Sequence, residues 1–434
     1  MSSSQQINIV DVICRSFWHI NPLLINHGQR VSYILMKMLA DTTYYTKQEK
    51  LDIFMLGLLH DIGAYKEEEI DSMLSFDAED SAESSMEHSV FGYLLFQQFS
   101  PLSQYADVIL YHHDCNAQYY PVPIGNYHRD IARLIYLADR IDIFCLLKDS
   151  DNLDTFLDQY DGTVFSSSDI RWFRQANEKY HILDHIHSGD YQQEVQDYTH
   201  EYIILSESQI HDYLMTFIFS VDFRNEYTAL HTSYALHLSE NFVNTLHLSS
   251  APWQTIQLAV LLHNIGKISI FSPLKSTADY DHYLTELYQG STLTVTKEIL
   301  TDAVDPQIIN IIEESSLLLK YWSNNTPISF TPLPASEIVA LSYLSSNILT
   351  QELDASLLCH EKLMDFLKMK YHNCKMDNII LLALGRHFPE IIKKTQTSCR
   401  SISQIYQHME EENHHLNTIL RHYNHYNGKY HHLV

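Results

Sequence analysis

The chain has 434 residues, a net charge of −26 and a hydrophobic content of 45%. A chain this acidic lacks the surplus of lysine and arginine that a nucleic-acid polymer or an anionic membrane surface requires, so neither partner is expected. The length predicts two or three domains, and the low numbers of Gly and Pro, 11 each, favour helices with short connections.

Helices are predicted along the whole first half of the chain. Apolar residues recur at helical spacing over 27–40, 49–62, 86–99, 103–113 and 129–147. No alternating stretch is long enough for a core strand, so the predicted fold class is all-α. The longest apolar runs are too short to cross a bilayer, and the amino terminus lacks the basic start and apolar core of a signal peptide. We therefore expect a soluble, cytoplasmic protein.

Seven residues of metal-ligand type accompany these predicted helices. They are His27, His60, Asp61, His88, His112, His113 and Asp139. Most lie within or at the end of an apolar stretch, where an imidazole or carboxylate is costly to bury without a partner. A single such histidine is usually a hydrogen-bonded core residue, and a chain with 27 histidines contains chance clusters. The adjacent pairs at 60–61 and 112–113 nevertheless favour a metal centre.

The order of these residues resembles the HD-domain metal-dependent phosphohydrolases. It is most similar to the HD-GYP branch, which hydrolyses cyclic dinucleotides in bacterial signalling. The similar segments are 27–31, 59–63, 87–92, 112–121 and 131–139, within a likeness that covers about residues 20–185. The chain departs from the family at Ala64, where the family has a lysine, and at 116–118, which replace a glycine-rich stretch.

The resemblance implies a centre of two divalent metal ions, with room for a third. One ion would be held by His27, His60, Asp61 and Asp139. Asp61 would bridge to a second ion bound by His88, His112 and His113. A metal-bridged hydroxide would then attack phosphorus, which makes Asp61 and His60 the predicted catalytic residues. Tyr120 and Arg133 are the predicted substrate-binding residues. Nitrogen and carboxylate ligands without thiolates favour iron or manganese, while zinc, nickel and magnesium stay compatible.

The first half of the chain is echoed about 200 residues later. His27 aligns with His231, and the pair at 60–61 aligns with His263 and Asn264. Helical periodicity recurs at 228–246, 252–265, 291–302, 306–320 and 335–349. We therefore predict two tandem HD-type helical bundles, in domains 1–205 and 206–434.

The second copy lacks most of the predicted ligands. Asn264 stands at the place of Asp61, Ser346 stands at the place of Asp139, and Glu313 and Glu314 replace the histidine pair. We interpret domain 206–434 as a degenerate HD-GYP-like scaffold or regulatory module, in a chain that is compatible with a homodimer. The alternative is that the two glutamates bind a different metal.

The predicted function is a metal-dependent phosphodiesterase that hydrolyses a cyclic dinucleotide, cyclic di-GMP or cyclic GMP-AMP, to a linear product. The departures at Ala64 and 116–118 favour a non-standard cyclic dinucleotide. Two alternatives remain open. One is an HD phosphohydrolase acting on another nucleotide or an alarmone, and the other is a non-catalytic signalling scaffold.

Overall fold

The structure is a computed structural model in which the described residues form helices and no strands. It describes residues 7–20, 26–64, 82–113, 121–147, 152–223, 226–247, 250–269, 291–324, 326–351, 365 and 378–431. Within these ranges lie 17 α-helices, two 3₁₀ helices and two isolated β-bridges. The predicted all-α class is confirmed.

Ten of the described α-helices precede residue 205. They are α1 (Ile9–Ile20), α2 (His27–Met38), α3 (Lys47–Leu59), α4 (Ala82–Phe99), α5 (Ala106–Leu110), α6 (Asn126–Leu147), α7 (Leu153–Gln159), α8 (Ser167–Tyr180), α9 (Ile182–Ser188) and α10 (Tyr191–Tyr202). A 3₁₀ helix, Ser103–Tyr105, leads into α5. The five helices predicted here are present, with ends that differ by a few residues.

Seven more α-helices follow in the described ranges of the second half. They are α11 (Glu207–Asp222), α12 (Glu226–Thr245), α13 (Ser250–Leu262), α14 (Ser291–Leu300), α15 (Pro306–Ser323), α16 (Pro334–Gln351) and α17 (Asn378–His431). A second 3₁₀ helix, Ile265–Ser269, follows α13. None of the described helices is both long and apolar enough to span a bilayer.

The chain forms two compact units that do not follow the predicted division at 205–206. The first unit is Asn21–Ser220 with Met409–Val434, and the second is Met1–Ile20 with Val221–His408. Helix α1 thus belongs with the second half of the chain, and most of α11 belongs with the first half. The division into functional domains stays a prediction.

Contacts specific to each helix explain these memberships. In the second unit, the backbone N–H of Asn8, just before α1, donates to the carbonyl of Ala303 at 2.7 Å. In the first unit, the ring of Phe219 on α11 lies 4.6 Å from the ring of Phe99 on α4. These partners are hundreds of residues away for α1 and more than a hundred for α11, so local periodicity could not reveal them.

The two units share a pattern of helix packing. In the first unit α2 packs against α3 and α6, and α4 packs against α5. In the second unit α12 packs against α13 and α16, and α14 packs against α15. The pairings therefore recur in the same chain order, which supports the prediction of a tandem repeat.

Helix α3 ends earlier than predicted, and this places the signature residues in a turn. Its start is fixed by a capping box between Thr46 and Glu49. Residues 60–63 leave the helix as a turn. A Cβ on Gly63 would lie 2.0 Å from the carbonyl oxygen of His88, so only glycine allows this turn to approach α4 so closely.

Candidate metal centre

The seven predicted ligands are brought together in the first unit by five separate elements. His27 is the first residue of α2, His88 lies on α4 and Asp139 lies on α6. The pair at 60–61 follows α3, and the pair at 112–113 follows α5. Their side chains are buried or nearly so, and Asp61 and His113 are the most exposed at 11% and 10%.

Asp61 lies at the centre of the group and turns its two carboxylate oxygens to different histidines. Its Oδ2 lies 3.1 Å from Nε2 of His60 and 3.6 Å from Nε2 of His27. Its Oδ1 lies 3.3 Å from Nε2 of His88 and 3.4 Å from Nε2 of His112. A carboxylate in this position can bridge two cations.

Asp139 also divides its oxygens. Oδ1 lies 3.2 Å from Nε2 of His27, inside the group. Oδ2 accepts hydrogen bonds from Nε and Nη2 of Arg140 at 2.9 and 2.7 Å. The Arg140 guanidinium in turn lies over the ring of Tyr136, 5.8 Å from its centroid. One oxygen is thereby left for a ligand role while the other is held by a fixed cation.

Backbone carbonyls set the tautomer of two of the histidines. Nδ1 of His60 donates to the carbonyl of Gly57 at 2.8 Å, and Nδ1 of His112 donates to the carbonyl of Ile109 at 2.6 Å. A carbonyl only accepts, so Nδ1 carries a proton in both histidines, and their Nε2 atoms face Asp61. This is the orientation that metal-binding histidines adopt.

A carboxylate performs the same task for His27, and sequence reasoning did not single it out. Nδ1 of His27 donates to Oδ2 of Asp142 at 2.7 Å. Arg30 binds the same carboxylate through Nε at 2.5 Å and Nη2 at 2.9 Å. Asp142 follows Asp139 by three residues, and Arg30 follows His27 by three, so both lie one turn along their helices. That spacing was the available signal.

The remaining two histidines touch each other. Nε2 of His113 lies 3.1 Å from Nε2 of His88. Two facing imidazole lone pairs at this distance repel unless a proton or a metal ion lies between or beside them. His113 also places Nδ1 3.9 Å from Oδ2 of Asp139.

The donor atoms fit divalent cations. Within the described ranges, these buried atoms of the group have no hydrogen-bond partner: Nε2 of His27, His60 and His112, both oxygens of Asp61, and Oδ1 of Asp139. They fall into two groups whose ligand atoms lie within 4.8 Å of one another: Asp61 with His88, His112 and His113, and His27 with His60 and Asp139. A cluster of buried nitrogen and oxygen atoms that lack hydrogen-bond partners is stabilised by positive charge, which bound metal ions would supply.

The pKa shifts of the predicted ligands are also consistent with a site that binds positive charge. Burial would raise the pKa of Asp61, but the charge of His60 and the neighbouring imidazoles of His112 and His27 hold it well below its usual range. Burial lowers the pKa of His60, but Asp61 and Asp139 more than offset this and raise it to about 9. Burial lowers the pKa of both His112 and His113, which keeps these two imidazoles neutral and able to bind metal.

The two predicted substrate-binding residues lie outside this group. Tyr120 lies outside the described residues. Arg133 binds Asp130 through Nη2 at 2.7 Å and faces Asp169 through Nε at 3.4 Å. It lines a small surface depression together with Tyr136, whose ring lies 5.8 Å from the ring of His113. Arg133 is therefore near the centre without entering it, and its role stays a prediction.

Part of the chain matches a known domain family. Residues 24–144 match the family model of the HD domain. The 3'3'-cGAMP-specific phosphodiesterase 1 of Vibrio cholerae serotype O1 is 25% identical over 258 residues, which cover 56% of this chain and 59% of that protein. The alignment thus spans less than two thirds of the relative's length.

A solved structure shares the fold. The crystal structure of a cyclic GMP-AMP specific phosphodiesterase from V. cholerae superposes with a TM-score of 0.51 at 15% identity, covering 88% of this chain and 96% of that one. The segment 24–144, which matches the HD domain, contains all seven predicted ligands. The predicted resemblance to HD-domain proteins is confirmed for this segment.

Proposed function

We propose that this protein is a metal-dependent phosphodiesterase that opens a cyclic dinucleotide, with cyclic GMP-AMP as the first candidate substrate. The observation that carries the proposal is the central position of Asp61, whose two oxygens face separate pairs of imidazoles. This is the arrangement that a two-metal hydrolase needs.

The two groups of side chains would hold one metal ion each. His27, His60 and Asp139 would share the first with Oδ2 of Asp61, and His88, His112 and His113 would share the second with Oδ1. Iron and manganese suit this set of nitrogen and carboxylate donors. Bound divalent ions supply Lewis-acid polarisation of the phosphoryl group and a water of lowered pKa.

The chain's own residues would orient and charge this centre. Gly57 and Ile109 keep the Nε2 lone pairs of His60 and His112 directed inward. Arg140 neutralises the outer oxygen of Asp139, which leaves the net charge of the centre more favourable for a phosphodiester anion. Asp61 and His113 are the most exposed members, so the phosphodiester would approach from their side.

The choice of substrate is supported by the relatives and by the sequence. The V. cholerae protein that aligns over 258 residues bears the name of a 3'3'-cGAMP-specific phosphodiesterase. The departures from the HD-GYP pattern at Ala64 and 116–118 remove groups typical of that branch. Both points favour cyclic GMP-AMP over cyclic di-GMP.

The experiment is a hydrolysis panel with a matched pair of variants. Full-length protein loaded with manganese or iron is incubated with cyclic GMP-AMP, cyclic di-GMP, cyclic di-AMP, linear nucleotides and an alarmone. His60→Gln and His263→Gln are the pair, because both histidines follow a helix and donate from Nδ1 to the carbonyl three residues back.

The expected result is cleavage of cyclic GMP-AMP to a linear product, lost in His60→Gln and retained in His263→Gln. Cleavage of an alarmone or a linear nucleotide alone would replace this proposal with the second enzyme class. Failure of the metal-loaded protein to cleave any compound would favour the non-catalytic scaffold.

A further inference from the structure

The ring of Tyr136 lies beside the predicted metal centre without belonging to it. Tyr136 is a half-buried residue of α6, one helical turn before Asp139. Its ring meets the ring of His113 edge to face, at an interplanar angle of 88° and a centroid distance of 5.8 Å. Because His113 is one of the two most exposed predicted ligands, the tyrosine adjoins the side from which a phosphodiester would approach.

Neighbouring side chains hold the Tyr136 ring in place. The guanidinium of Arg140 lies 5.8 Å from the ring centroid and is itself bound to Oδ2 of Asp139. The ring of Phe165 lies 5.6 Å away at an angle of 48°. Phe165 is 5% exposed, and its ring lies 5.9 Å from that of Phe156. Tyr136 is therefore a firmly held aromatic group at the edge of the centre.

The surface depression beside Tyr136 has the chemistry of a nucleobase site. Besides the tyrosine, its lining has three apolar and three polar residues: Leu137, Val164, Phe165, Arg133, Ser166 and Asp169. Apolar and aromatic walls suit the flat face of a base, and a few polar groups suit the donors and acceptors on its edge. Arg133 offers N–H donors and Asp169 offers carboxylate acceptors, so both kinds of edge group have a counterpart.

The second unit provides an internal comparison. A Cβ on Gly266 would lie 2.1 Å from the carbonyl oxygen of Thr292, as one on Gly63 would lie 2.0 Å from that of His88. The turn after α13 therefore meets α14 as the turn after α3 meets α4. Since α16 also packs on α12 as α6 packs on α2, positions on α16 and α6 can be compared directly.

The comparison shows that Tyr136 differs from its counterpart. Tyr343 is that counterpart, because it precedes Ser346 by three residues on α16. Tyr343 is 1% exposed, and its ring lies 4.5 Å and 4.3 Å from the rings of His231 and His263. In the unit that lacks most of the predicted ligands, the tyrosine is thus packed inside. In the unit that has all seven, it is half-buried at the edge of the centre.

We propose that Tyr136 is a nucleobase-binding residue, on which a purine base of the cyclic dinucleotide stacks while the adjoining phosphodiester lies at the metal centre. This inference rests on the proposed function and names the part of the protein that would hold the base. Every base has a π face, so the ring would contribute affinity for either purine. Choice between the bases would come from polar groups such as Arg133 and Asp169.

The experiment compares three full-length, manganese-loaded variants with the unmodified chain. Tyr136→Leu removes the ring, and Tyr136→Phe keeps it. Tyr198→Leu is the control, because Tyr198 is another half-buried tyrosine of the first unit and its ring lies 5.3 Å from that of Phe54. Each protein is assayed with cyclic GMP-AMP and with methyl p-nitrophenyl phosphate, a phosphodiester without a nucleobase, and its metal content is measured.

The measured quantity is kcat/KM for cyclic GMP-AMP divided by kcat/KM for methyl p-nitrophenyl phosphate. We expect this ratio to fall by about 5- to 100-fold in Tyr136→Leu, the loss that corresponds to one base stacked on an aromatic ring. The change should lie in KM, with metal content unchanged. Tyr136→Phe should restore most of the ratio, and Tyr198→Leu should not alter it. An unchanged ratio in Tyr136→Leu, or an equal fall in Tyr136→Phe, would overturn the inference.

A binding measurement separates this inference from the proposed phosphodiesterase. A phosphorothioate analogue of cyclic GMP-AMP, which resists hydrolysis, is added to the same proteins, and its affinity is measured by equilibrium dialysis. Weaker binding to Tyr136→Leu supports the base site even if the unmodified chain cleaves nothing. Equal binding to both proteins overturns the base site even if cyclic GMP-AMP is cleaved. Absence of binding to the unmodified chain overturns it as well.

Discussion

The carboxylate of Asp142 lies 2.7 Å from Nδ1 of His27 and directs the Nε2 of that histidine towards Asp61 and Asp139. Arg30 holds the same carboxylate from the other side. This chain of contacts makes His27 a preoriented ligand, because the imidazole ring cannot rotate without breaking a buried hydrogen bond. Asp142, which orients the ring, is therefore as important to the centre as the predicted ligand His27.

Loss of the Asp142 carboxylate should weaken metal binding. Asp142→Asn keeps the size of the side chain and removes its charge, so we expect metal affinity or activity to fall by about 10- to 100-fold. Competition with a fluorescent chelator measures the affinity. Asp154→Asn, an exposed acid paired with Arg174 in the same unit, is the control and should bind metal normally. Equal affinity in both variants would show that His27 needs no such support.

Metal binding should strengthen as the pH rises from 6.5 to 9. The pKa of His60 in the metal-free protein is raised from 6.5 to about 9, so its proton stabilises that form fully below pH 6.5 and is lost through pH 9. A metal ion must displace this proton, and displacement becomes easier at high pH. The difference in melting temperature between metal-loaded and chelator-treated protein should therefore widen with pH. A constant difference would contradict the assignment of His60 as a ligand.

Close contact between Gly63 and α4 should make this glycine irreplaceable. Gly63→Ala would drive its Cβ into the His88 carbonyl, so we expect a loss of about 1–3 kcal/mol in the free energy of unfolding, together with loss of metal. Gly266→Ala should destabilise the second unit to a similar degree and leave metal content unchanged. Gly125→Ala, which meets nothing within 4 Å, is the control for both. Denaturant unfolding and metal analysis on the same samples separate the two effects.

Arg133 tests the predicted contact with substrate. Arg133→Gln should raise KM for the cyclic dinucleotide by about tenfold or more and leave metal content unchanged, because a charged hydrogen bond is lost outside the ligand group. Arg133→Lys keeps the charge and should restore part of the loss. If Arg133→Gln changes the melting temperature and not KM, the arginine serves only to pair Asp130 and Asp169.

Much of the fold and of the candidate centre could be predicted from the amino-acid sequence. Helical periodicity predicted α2, α4 and α6 to within a few residues at most ends. The identities of the ligand-type residues were visible because a carboxylate or imidazole beside an apolar run has an obvious cost. The end of α3 was missed by three residues, since the reason for the turn is a backbone contact between Gly63 and His88.

Contacts between residues that are far apart in the chain could not be predicted from local sequence patterns. Asp142 meets His27 across 115 residues, and Arg421 on α17 pairs with Glu87 across 334. Lys267 is buried in the second unit, where it forms an ion pair with Asp222. In each case the residue type is unremarkable, and its neighbour gives it a role.

The sequence by itself therefore determined the all-α class and predicted the repeat and the seven ligand-type side chains, because periodicity and the cost of burying polar groups act over neighbouring positions. Folding established that Asp61 lies between two pairs of imidazoles, that α1 belongs to the second unit and that Lys267 is buried. These facts depend on which helices pack together. Contact between residues hundreds of positions apart is settled by the free energy of the whole packed unit, which no local pattern contains.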